Sequence, residues 1–145
     1  MKGLVFAMPI KMRILYHPKK GKLLNIANYI KDQNELSFNA VDIIPPAYSC
    51  DKERIVVLAL SIKDEPADDL RLFCRELSKQ RAQNVALIMD GKHSTAESIK
   101  SILKEAGTNV VDEVLFIKCG LFGKINDEEK AAVSEWIKKV VASLQ

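Results

Sequence analysis

Neither sign of charge dominates this chain. Its 22 Lys and Arg against 19 Asp and Glu leave a formal net charge of +3, too little by itself to imply nucleic-acid binding. Cysteine is scarce: Cys50, Cys74 and Cys119 are an odd count at wide spacing, without a CxxC pair or a nearby histidine at metal-ligand spacing. That pattern argues against a disulfide framework or a metal site and favours reduced thiols. No apolar run reaches the ~18 residues of a membrane span. The N-terminal stretch MKGLVFAMPIKMRILYH is interrupted by Lys11 and Arg13, and no small-residue cleavage site follows it. The expected location is cytoplasmic, with no membrane partner. Internal repeats, low-complexity segments and linkers are also missing, and 145 residues suit one domain with a real core.

What is present is alternation. Arg54 to Ser61 and Asn84 to Met89 are nearly continuous in apolar residues, as strands covered on both faces are. Val114 to Ile117 and Met12 to Tyr16 read as two more such strands, and Phe38 to Ile44, with Asn39 and Asp42, as an edge strand stopped by Pro45-Pro46. Helical spacing fills the gaps: 22–33, 67–80 with Pro66 in its first turn, a helix opened by a capping box at Ser94 and Glu97 and closed by Gly107, and a last helix capped at Asn126. Strict alternation predicts an α/β three-layer sandwich with a five-stranded parallel sheet in the order 2-1-3-4-5, its ligand crevice beyond the carboxyl ends of strands 1 and 3. The domain spans 12–145. Residues 1–11 are an N-terminal extension, either an extra strand or a tail, and 45–53 are either a long loop or a short helical turn.

Loops after four strands line that crevice. They hold no Ser/His/Asp or Cys/His signature, so hydrolase or transferase chemistry has no support. His17 and His93 fall at strand ends where an imidazole can titrate, though loop histidines are more often merely exposed. Asp90-Gly91 is first a turn signal, and Cys119 reads as a packed thiol rather than a nucleophile. Lys11, Arg13, Lys19, Lys20 and Lys22 form a local run with no acid between them, and Asp64, Glu65, Asp68 and Asp69 make a contrasting acidic stretch relieved only by Lys63. Two solvated faces explain these better than a polyanion groove does.

The segments ILYHPKKGKLLNIANYI, RIVVLALSIKDEPADDLRLFCREL and VALIMDGKHSTAESIKSILKEAGTNVVDEVLFIKCG together resemble strand 1 with its phosphate loop, strand 3 with its helix, and strands 4 and 5 of a flavodoxin-like domain. The resemblance covers about residues 12–145 and rests on the whole pattern. It implies a site for FMN, bound non-covalently, and electron transfer to a redox partner protein. Laid on the family's Ser/Thr-x-Thr-Gly-x-Thr/Ser phosphate loop, this chain reads Pro18, Lys19, Lys20, Gly21, Lys22 and Leu23, preceded by His17. Only Gly21 matches. Each lost hydrogen bond to a charged phosphate is worth roughly 1.5–3 kcal/mol, and the three lysines offer only screened, flexible charge in exchange. On this reading Lys20→Thr with Leu23→Thr strengthens FMN affinity.

For the flavin ring the resemblance points to the loops after strands 3 and 4, here Ser61, Ile62, Lys63 and Asp90, Gly91, Lys92, His93. They hold no Phe, Tyr or Trp, and His93 is their one planar side chain. Two expectations follow: an FMN-linked electron carrier with a degenerate site, or a flavodoxin fold that has lost FMN and serves as a non-redox binding or interaction module. In the second, the Lys-rich loop meets another phosphate ligand or an acidic partner. Both make the chain a carrier or binding module rather than a catalyst. A phosphorelay receiver is excluded because strand 1 ends without paired acids and strand 3 without an Asp.

Overall fold

Ile55–Ser61 and Asn84–Asp90, the two most apolar runs, lie side by side at the centre of a parallel sheet. The computed structural model describes residues 11–17, 21–33, 40–63, 65–119 and 123–144. In chain order its elements are β1 (Met12–His17), α1 (Lys22–Gln33), β2 (Ala40–Ile43), β3 (Ile55–Ser61), α2 (Asp68–Arg75), β4 (Asn84–Asp90), α3 (His93–Ala106), β5 (Asn109–Val110), β6 (Leu115–Phe116) and α4 (Asp127–Ala142). The strand order is β2-β1-β3-β4-β5, with β6 also paired to β4, and every pairing is parallel. Gly3 to Met8 lie outside the described residues. Among the described residues no helix is long and apolar enough to cross a membrane.

The absence of apolar alternation in β3 and β4 has its reason in the layers. Ile55, Val57 and Ala59 face a core with α1 and α4, while Val56, Leu58 and Leu60 face another with α2 and α3. All six are fully buried, so neither face of the strand tolerates a polar residue. Trp136 of α4 is a core residue whose indole N–H donates to the Glu113 carbonyl at 3.0 Å.

Three expectations are corrected, and one left open between two alternatives is decided. The fifth strand is not the single run 114–117 but two short pieces. β5 pairs with Asn84 and Val85, and β6 with Ile88 and Met89. Between them the carbonyls of Asp112 and Glu113 accept from the Lys100 ammonium at 2.7 Å and from Trp136, so side chains take over the role of a strand ladder. Next, α2 stops at Arg75, and Pro66 precedes its N-cap Ala67 instead of entering the first turn. The helix after β4 begins at His93 with N-cap Lys92 and no side-chain cap, so Ser94 lies inside it and Glu97 pairs with Lys100 at 3.4 Å. Finally, 45–53 contain no helix. They form a strap fastened by Arg13, whose guanidinium donates to the Tyr48 carbonyl at 2.8 Å. Two other signals read true: Gly107 closes α3 at φ 110°, and Asn126 with Glu129 forms a reciprocal capping box on α4.

Candidate ligand crevice

The chain leaves β1 toward β2 on one side and returns to β3 on the other, so the ends of β1 and β3 part. That is where an open parallel sheet has a crevice. Each helix follows its strand's carboxyl end, which brings the helix N-termini, with their unpaired amides and positive dipole ends, to the same rim.

On the β1 side, Pro18, Lys19 and Lys20 lie outside the described residues. Gly21 is in the left-handed region at φ 116°, with none of the described residues beyond its chain neighbours within 4 Å of the position a Cβ would take, and its carbonyl accepts the first helical bond, from the Asn25 backbone amide. A residue with a side chain would be strained at this φ. His17 ends β1 opposite Leu60, half-buried, its Nδ1 enclosed without a partner.

Lys22 departs from expectation, while Leu23 follows the apolar spacing of the helix rather than the loop alignment. Lys22 is not a free loop charge: its ammonium donates to the Lys118 carbonyl at 2.8 Å and pairs with the Glu129 carboxylate, leaving the side chain 9% exposed. Leu23 is a core residue, 2% exposed, in the cluster with Ile26 and Ile30, because the second residue of α1 faces the sheet.

The β3 and β4 side is tightly joined. The Ser61 hydroxyl donates to the Asp90 carboxylate at 2.9 Å, and the Ile62 amide to the Asp90 carbonyl at 3.0 Å. Gly91 is there because a Cβ would stand 2.7 Å from the Ile62 carbonyl oxygen. Ile62 is buried in the second core, so it offers a ligand no apolar face, while Lys63 and Lys92 are exposed. The ring of His93 lies against Phe116, centroids 4.1 Å apart and 32° from parallel. Burial pushes the Cys119 thiol up to about 12, and the adjacent Asp90, by its charge and as acceptor from the thiol, adds to the rise. The Lys22 hydrogen bond holds the Glu129 carboxyl below its ordinary value.

Sequence reasoning set the loop Cys119 to Gly123 beside the crevice but missed its contacts with α1. Asn25 donates through its side-chain amide to the Gly123 carbonyl, and Gly123 is so close that a Cβ would meet Asn25 at 2.7 Å and the Lys22 nitrogen at 3.5 Å. The cap at Asn126 and Glu129 was legible from spacing. The Lys22–Glu129 pairing, across 107 positions, leaves no local sequence signal.

The class that this strand order and crevice define is the flavodoxin-like fold, and comparison with solved structures agrees. A short-chain flavodoxin associated with a bacterial microcompartment superposes with a TM-score of 0.72 at 16% identity, covering 94% of this chain and 99% of the other. Flavodoxin 1 from Bacillus cereus gives 0.68 at 16%, covering 93% and 99%. A mutant flavodoxin from Fusobacterium nucleatum bound to flavin mononucleotide gives 0.61 at 11%, covering 93% and 97%. No protein-family model and no curated protein matches the sequence. The chain is thus a flavodoxin-fold protein of strongly diverged sequence, and at these identities the likeness is one of fold.

The described residues fit the two ends of FMN unequally. The phosphate end has a helix N-terminus opened by a positive-φ glycine. At the ring end Ile62 is buried and the His93 ring already has a neighbour.

Proposed function

We propose that this chain binds a phosphate-bearing ligand, FMN first among them, in the crevice between β1 and β3, and passes electrons through it to a protein partner in the cytoplasm. The observation that carries the reading is the β1–α1 junction, where Gly21 holds the left-handed turn before α1, whose first turn contains no acid. The backbone amides at the start of α1 supply donors to an anion there. Bound FMN supplies the redox chemistry. The residues of the chain hold the phosphate at α1 and bound the crevice with Ser61 and Asp90.

A second reading, a fold that has lost FMN and works as a non-redox binding module, is favoured by one set of facts: Lys22 is paired, Leu23 is in the core, and no free aromatic lines the β3 and β4 loops. Purification without added cofactor, a visible spectrum and an FMN titration by fluorescence quenching separate the two. A yellow protein, or quenching below tens of micromolar FMN (roughly the weak end of useful affinity), supports the first reading. A colourless protein without quenching in that range leaves the second.

A further inference from the structure

The connection between β6 and α4 is fastened to the first turn of α1 from both of its ends. Lys22 donates to the Lys118 carbonyl before it and pairs with Glu129 after it, while Asn25 holds the Gly123 carbonyl between them. The Glu129 carboxylate does two jobs. One oxygen accepts from the Asn126 amide at 3.1 Å to complete the cap of α4, and the other takes the Lys22 ammonium. Lys22 is the first residue of α1, so its charge would otherwise stand beside the amides that face an incoming anion. Paired, the two charges sum to zero, and the ammonium is turned toward α4.

We propose that Glu129 is the residue that limits phosphate affinity in the crevice, by cancelling the charge of Lys22 and holding its ammonium away from the ligand. This rests on the reading that the crevice takes a phosphate. Removing the carboxylate charge leaves one unneutralised cation within a side chain's length of the anion. A dianion gains most from that, because Coulomb energy scales with the product of the charges. A gain of this origin is screened by salt.

Glu129→Gln isolates the charge, since Gln at the third helical position still closes a capping box and the fold is retained. The probe is FMN, followed by fluorescence quenching, with inorganic phosphate as competitor. The expected result is FMN affinity about three- to tenfold tighter than in the unaltered protein, steeper weakening with added NaCl, and more effective competition by phosphate. Lys22→Gln combined with Glu129→Gln restores charge balance and returns affinity to about the starting value. If the unaltered protein binds FMN and Glu129→Gln binds it no more tightly, the role of Glu129 is overturned while the FMN reading stands. If the double variant keeps the whole gain, a loop rearrangement and not Lys22 is responsible, and the proposal also falls. If none of the three proteins binds FMN or phosphate, both this inference and the function it rests on are overturned.

Discussion

Leu23 and Lys22 are neighbours in sequence with opposite surroundings, and between them they set what the start of α1 can do. At the position that the loop alignment sets against a hydroxyl stands a leucine that the helix turns into the core between α1, α4 and the sheet. A threonine there would remove apolar volume and bury a hydroxyl without a partner. Leu23→Thr is therefore expected to cost about 2–4 kcal/mol, seen as a lower urea midpoint at unchanged slope, and to bring no gain in FMN affinity. That reverses the expectation from aligning the loop alone. Gly91 makes the complementary point. Asp90-Gly91 announced a turn, but the reason for glycine is the Ile62 carbonyl, a neighbour 29 positions away that no local pattern displays.

Helix starts show why some elements were legible and others shifted. At α4, Asn126 and Glu129 satisfy the capping-box spacing, and the chain uses it. At α3, Ser94 and Glu97 satisfy the same spacing, yet the helix begins before them because β4 runs to Asp90 and Lys92 already takes extended angles, φ −83° and ψ 151°. The contact of His93 with Phe116 draws that first turn against β6. A motif states what a segment can do locally, and tertiary contacts decide whether it does. Since the N-cap of α3 lacks a side-chain acceptor, Lys92→Ser should stabilise the protein by about 0.5–1 kcal/mol, raising Tm by about 1–4 °C in thermal unfolding.

Across the whole molecule, composition and alternation were enough for the layers, which follow from which runs must be buried on two faces, and for the strand order, the common one for such alternation. What they could not reach was the pairing of distant side chains: Lys22 with Glu129, Ser61 with Asp90, Arg13 with the strap at Tyr48. The thiols follow the layers too. Burial raises Cys50, pushes Cys74 to about 12, and does the same for Cys119 with help from Asp90. Folded-state values above the ordinary one keep the thiols protonated below about pH 8, so they give stability no pH slope there and lose their contribution only as pH rises beyond it. A thiol-exchange reagent at pH 8 should find almost no fast-reacting cysteine in the native protein and all three after denaturation. The divided strand at the far edge has a consequence for the protein in a crowded solution. β5 and β6 are two residues each, with Asp112 and Glu113 between them. A neighbouring chain finds no continuous ladder to extend there, and the acids repel another copy of the same border, so this edge of the sheet carries its own protection against growing into an aggregate.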